Sequence, residues 1–475
     1  MIELDTVIEN ANIATATDSF VADIGIHDGR IAVVGKFEHA AANVIDAAHR
    51  LVTPGGVDAH CHLDQPMGDG AVLADDFASG TVSAAHGGTT TVIPFACQIK
   101  GESLRAAVDD YHQRAADKPI IDYAFHLIVS DPTTDVLERE LPELINEGYT
   151  HFKIYMTYDD LKLNDRQILE LLALARREGA LPMIHAENDD CIAWLTDILE
   201  QAGKTAPRYH AAARPPVIER EAAHRAISLA ELVDTPVLIV HVSGNAAMSQ
   251  IRDAQSRGIR IYAETCPQYL FLTADDLATP GFEGAKCICS PPPRTVEDQQ
   301  HVWRGLQTGV FQVFSSDHAP FSYDDPHGKK NAGEDASFRV VPNGVPGIET
   351  RLPLLMSEGV MKKRIDIHQF VSLTSTGPAK MYGLYPRKGS LAPGSDADLV
   401  IWNTTADIKL DNDMLHHNVD YTPYAGMRLS AWPEQVFSRG ELIVDRGECS
   451  ATAGRGRFLP SRSPLTVQRT GAGDD

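Results

Sequence analysis

Between residues 56 and 318 the chain repeats one pattern eight times: a short apolar run, then a longer polar or amphipathic stretch. The runs are GVDAHCHL (56–63), TTTVIPFA (89–96), DYAFHLIVS (122–130), HFKIYM (151–156), LPMIHAE (181–187), PVLIVHVS (236–243), RIYAETC (260–266) and VFQVFSSDH (310–318). The intervening stretches read as helices. In DRQILELLALARREG, Ile168, Leu171, Leu172 and Ala175 fall three and four apart, the stripe of a helix lying on a sheet. Each connection is long enough for a crossover between parallel strands. Eight such units predict a closed (β/α)₈ TIM barrel over residues 54–385. No GxGxxG follows any run, which argues against an open dinucleotide-binding sheet.

The flanks have another character. Residues 1–53 read as short strands (DTVIENANI, VADIGIHDGRIAVVG, NVIDAAHRLVTP) broken by Asp-Gly and Gly turns, and residues 386–450 return to turn-rich β-structure. Because domain termini tend to lie close together, the two segments are expected to join into one small β-sandwich. Residues 451–475, rich in Gly, Arg, Ser and Thr, are expected to form an arm or a disordered tail. Lysine plus arginine number 42 against 65 acids, a formal charge of −23. Such a surface repels phosphate backbones and anionic lipid, so neither nucleic acid nor a membrane is an expected partner. The opening residues are acidic where a secretory signal is basic and apolar, and no apolar run approaches the ~20 residues of a membrane span. The seven cysteines are scattered without a CxxC pair, as for reduced thiols in a cytoplasmic protein.

In a barrel the working residues come from the C-terminal ends of the strands. The first run ends in His60-Cys61-His62, and period-two alternation puts both imidazoles on one face. The fifth run ends in His185, the sixth in His241 and the eighth in Ser316-Asp317-His318. Singly, each has a plainer reading: a hydrogen-bonded structural histidine, or an aspartate capping the next helix. Jointly they place five N and O ligands at one barrel mouth, too many for one tetrahedral zinc and too few for two. Lys153, inside the fourth run, offers the missing ligand. Burial disfavours its ammonium, and a neutral amine reacts with carbon dioxide to give a carbamate able to bridge two metals. Its plainer reading is a lysine snorkelling out of a strand.

The stretches GGVDAHCHLD, DDFASGTVSAAHGGTTT, HFKIYMTYDD, MIHAEN, IVHVS, AETCPQYL, CSPPPR, SSDHAPF, PNGVPGIE, GSLAPGSDADLVIWN and VDYTPYAGM resemble the dihydropyrimidinase and hydantoinase family of the amidohydrolase superfamily, in order and over nearly the whole chain. The resemblance implies the same barrel-and-sandwich fold and hydrolysis of a cyclic amide to an N-carbamoyl amino acid. It implies two zinc ions per subunit, bridged by carboxylated Lys153 and a hydroxide. His60 and His62 would hold the first, His185 and His241 the second, and Asp317 would be both a ligand of the first and the proton shuttle. Tyr158 would support the oxyanion, while Ser290 and Asn343 would grip the ring amide, largely through backbone groups; as Pro-rich and Asn-Gly sequences, they also read as turns. A homotetramer is implied as well.

Dihydroorotases carry an arginine shortly after the HxH pair; here Leu63-Asp64-Gln65-Pro66 follows, which disfavours dihydroorotate. Allantoinase, or another hydrolase of cyclic imides or ureides, remains an alternative, and a non-catalytic scaffold relative is disfavoured because all six ligand positions are filled. Two departures bear on the substrate. Pro94 stands in the second run, where the family pattern leads to an aspartate, and Lys162 lies where an aromatic residue usually meets the ring substituent. Lys162 is either a solvated side chain or a pocket group selecting a polar substituent.

Overall fold

The computed structural model describes residues 4–68 and 70–462. Eight parallel strands form the barrel: β1 (Gly56–Cys61), β2 (Thr89–Cys97), β3 (His126–Ile128), β4 (His151–Tyr155), β5 (Leu181–His185), β6 (Val237–Ile239), β7 (Ile261–Thr265) and β8 (Val313–Phe314). Each coincides with one of the eight apolar runs, β2 extending one residue past its run to Cys97. The ring closes just beyond β8, where Asp317 N donates to His60 O at 2.8 Å and His62 N to His318 O at 2.7 Å. Buried Arg351 reinforces the seam, donating to Phe314 O at 2.7 Å and Thr89 Oγ1 at 3.0 Å.

Period two along the strands divides the apolar residues between two cores. Val57, Ile93, Phe95, Met183, Leu238 and Val313 belong to a core inside the barrel. Phe152, Ile154, Ile184, Val237 and Ile239 join the helices in a second. The helix Asp165–Glu178 buries the predicted stripe of Ile168, Leu171, Leu172 and Ala175. A capping box between Asn164 and Gln167 starts it, and Gly179, at φ 74°, ends it.

The terminal segments do join. Nine strands form one continuous sheet, in which Leu51–Pro54 pairs antiparallel with Leu399–Asn403, so Val52 lies opposite Ile401. Ile8, Ile13, Ile24, Val52, Leu399 and Phe437 share its core. Leu51–Pro54 runs straight into β1, so the sandwich is built onto the first barrel strand. Where an arm or tail was expected, residues 451–462 lie across the N-terminal floor of the barrel. Leu459 is buried there, and Ser461 Oγ is 3.0 Å from His151 Nε2. Gly148, at φ 110°, leaves room for this crossing, since a Cβ there would sit 2.6 Å from Pro460 Cβ. The remainder of that segment, 463–475, lies outside the described residues. No described helix is long and apolar enough to cross a membrane, and none of the seven cysteines is paired.

Candidate metal centre and active site

The six side chains singled out as ligands converge at the C-terminal mouth of the barrel. His60 and His62 lie at the end of β1, and their Nε2 atoms are 3.2 and 3.5 Å from Asp317 Oδ1. Lys153 projects from β4 with Nζ 2.8 Å from His60 Nε2. The His185 and His241 rings are 4.5 Å apart, and His241 lies 5.5 Å from the His60 ring. Phe95 closes one wall, 4.6 Å from Lys153 Nζ and stacked on His62 at 5.2 Å.

The backbone is bent to make this possible. His241 (φ 38°), Asp317 (φ 49°) and Tyr158 (φ 71°) all occupy the left-handed region, which costs a non-glycine residue about 1–3 kcal/mol. Val240 belongs to the inner core, so strict alternation would send the next side chain, His241, outward. Its left-handed turn brings the imidazole back over the mouth. A register irregularity between Asp58 and Cys61 does the same service for His60, which follows inward Ala59.

Electrostatics follows from burial. Removal from water pushes the Lys153 amine down to about 8, although Asp317 and Glu264 pull the other way. Burial also lowers His60, His185 and His241, disfavouring their imidazolium forms. Burial opposes the charge on Asp317, yet the neighbouring His60, His62 and His241 outweigh it and hold the carboxyl well below its usual range. Burial pushes the Tyr158 hydroxyl up to about 12, so it stays a donor.

Several supporting residues were not singled out in the sequence. Glu264, on β7, has Oε1 2.7 Å from His60 Nδ1 and also accepts from His241 N at 3.1 Å. His62 Nδ1 donates to Gln65 Oε1 at 2.7 Å, which leaves Nε2 facing Asp317. Glu187 lies 2.9 Å from His185 Nε2 and is itself held by Arg214 at 2.9 Å. Such partners orient the donor atoms of a metal site. The visible signal for Glu264 was an acid in the middle of a buried strand, IYAET.

Ser290 borders the Tyr158 hydroxyl, and Asn343 comes from the loop that follows β8. Lys162 stands apart. Its ammonium is bound by Asp159 of the same loop at 2.6 Å and by Asp189, the first residue of the helix after β5, at 2.5 Å, so two acids neutralise it. Pro94 lies within β2 opposite Cys61.

The donor set fits a metal. The ligand atoms of His60, His62 and Asp317 all lie within 4.8 Å of one another, and buried His241 Nδ1 has no hydrogen-bond partner among the described residues. Neutral imidazoles, a carboxylate and an amine of lowered pKa facing one point are ligands for a divalent cation. A parallel barrel with such a centre at its C-terminal mouth defines a metal-dependent hydrolase of the amidohydrolase class, and the amidohydrolase family profile matches residues 51–443. The chain belongs to that family. It is 43% identical to a D-hydantoinase of Rhizobium radiobacter over 97% of this chain and 99% of that one. With a D-hydantoinase of Geobacillus stearothermophilus it shares 44% over 95% and 96%. The crystal structure of dihydropyrimidinase from Brevibacillus agri superposes with a TM-score of 0.94 at 41% identity, covering 96% of this chain and 99% of that one.

Proposed function

We propose that this chain hydrolyses the ring amide of 5-substituted hydantoins or dihydropyrimidines, giving N-carbamoyl amino acids. The observation that carries the reading is the convergence of His60, His62, Lys153, His185, His241 and Asp317 on one point at the barrel mouth. In this reading His60, His62 and Asp317 would hold one zinc ion, His185 and His241 would hold a second, and Lys153, once carboxylated, would supply the ligand they share. When bound, such a pair of ions supplies Lewis acidity and lowers the pKa of water into the working range.

The protein's own groups do the rest. Asp317, ionised across the neutral range, accepts the proton of the attacking water and delivers it to the leaving ring nitrogen. Tyr158 keeps its proton and donates a hydrogen bond to the oxygen on which charge develops. Backbone groups at Ser290 and Asn343 hold the amide edge of the ring. The protein is proposed to be cytoplasmic and to work as a homotetramer, with the small ring amide as its substrate.

Rates on phenylhydantoin, dihydrouracil and a carboxyalkyl hydantoin test the reading together with zinc content. Because Asp159 and Asp189 already neutralise Lys162, phenylhydantoin should be turned over faster than the carboxyalkyl ring. A zinc-loaded enzyme inactive on all three would refute the assignment.

A further inference from the structure

The two loops assigned to the ring are tied together by a residue that plays no part in the chemistry above. Lys329 is 1% exposed. Its Nζ donates to three backbone carbonyls, Ile288 O at 2.9 Å, Pro342 O at 2.6 Å and Gly344 O at 2.6 Å. Among the described residues it forms no ion pair, and burial pushes its amine down to about 7. Three carbonyl acceptors need three N–H donors, which only the protonated form supplies, so the geometry holds the ammonium and its whole donor capacity goes to main chain. The loops also meet directly, since Gly344 N donates to Ile288 O at 3.0 Å. Nearby, buried His210 donates from Nε2 to Cys289 O at 2.9 Å.

Peptide planarity turns these contacts into orientation. In a trans peptide the C=O of one residue and the N–H of the next point in opposite directions. Anchoring Pro342 O on Lys329 therefore fixes the direction of the Asn343 N–H. Anchoring Cys289 O on His210 fixes that of the Ser290 N–H in the same way. Neither amide donates to another group among the described residues, and Asn343 Oδ1 is buried without a partner. Donors held in place beforehand need no reorganisation when a carbonyl arrives.

We propose that Lys329 is a positioning residue for ring binding: its ammonium locks the 288–291 and 342–344 loops so that the Asn343 amide, beside the His210-fixed Ser290 amide, meets the polar edge of a cyclic amide. The proposal rests on the cyclic-amide reading of the site. Lys329→Met keeps the aliphatic stem and removes all three donors. In the zinc-loaded enzyme it should raise KM for phenylhydantoin about tenfold, as expected for one or two weakened ligand hydrogen bonds, with a smaller change in kcat. Zinc content should be unchanged, and backbone amides in 287–294 and 341–347 should exchange hydrogen faster. Lys329→Gln retains two N–H donors and should fall between wild type and Met; it also carries the test if the Met variant does not fold. Wild-type KM in a folded, zinc-loaded variant overturns the proposal, as does loss of zinc and thermal stability in both variants, the mark of a merely structural residue. Wild-type enzyme that is zinc-loaded but inactive on every ring amide overturns the cyclic-amide reading and the proposal with it, a result available before any variant is made.

Discussion

Two buried lysines sit at opposite ends of the barrel and have opposite fates. At the floor, Lys388 Nζ meets Asp122 and Asp398 at 2.7 Å and Asp396 at 3.0 Å. Burial opposes its charge, but the three carboxylates win and raise its pKa. At the mouth, Lys153 is equally buried, yet its near neighbours are His60, Phe95 and Tyr155, and burial wins. The difference lies in what surrounds the amine. An ammonium among carboxylates is a structural rivet, here joining β-sandwich to barrel floor, whereas an amine among imidazoles and rings is available for chemistry.

The contrast breaks most visibly at Lys153. Lys153→Ala should lose bound zinc and activity together while the fold survives, read by metal analysis and circular dichroism. Retention of metal would end the bridging role. Lys388→Met should do the reverse. Asp396 keeps Arg387 at 2.9 Å and Asp122 keeps Arg439 at 3.4 Å, but loss of the buried cation that all three carboxylates share should still cost about 3–5 kcal/mol in denaturant unfolding, with normal kcat in the protein that remains folded. An intermediate effect is expected at Tyr158, where Phe removes the donor to the oxyanion but no proposed ligand. Zinc should stay bound while kcat falls about 10²–10³-fold.

The smallest effect concerns a third buried base. His86, 3% exposed, stacks on His416 at 3.3 Å, and the nearby carboxylate of Glu349 is taken by His416 Nδ1 at 2.9 Å. Burial, helped by the His416 charge, pushes His86 down to about 4. Its folded pKa thus lies below the unfolded value near 6.5, so between those values the unfolded chain binds more protons. Stability that is present above pH 6.5 is lost as the pH falls towards 4. His86→Asn should flatten that part of the profile, measured as the urea midpoint against pH; an unchanged slope would show that His86 titrates normally.

Much of the centre was legible in the sequence because its residues stand at punctuation points: His60, His62, His185, His241 and Asp317 each end an apolar run. Lys153 was legible as a charge inside such a run. The eight-fold alternation gave the barrel for a similar reason, since a period of two followed by one of 3.6 can be read over a few residues. Lys162 shows the limit. Its spacing allowed a pocket group or a solvated one, and the choice fell to Asp189, 27 residues further on.

The amino-acid order by itself determined the barrel, the joined terminal sheets and the types of the candidate ligands, because these rest on local periodicity and on side-chain chemistry. Only the tertiary structure decided the rest. Glu264 beside His60, 204 residues away, Lys388 among its aspartates, and Lys329 across two loops are partnerships that no local period encodes. Charge state belongs with them, since whether a buried lysine is a rivet or a reactive amine depends on which distant groups the fold sets around it.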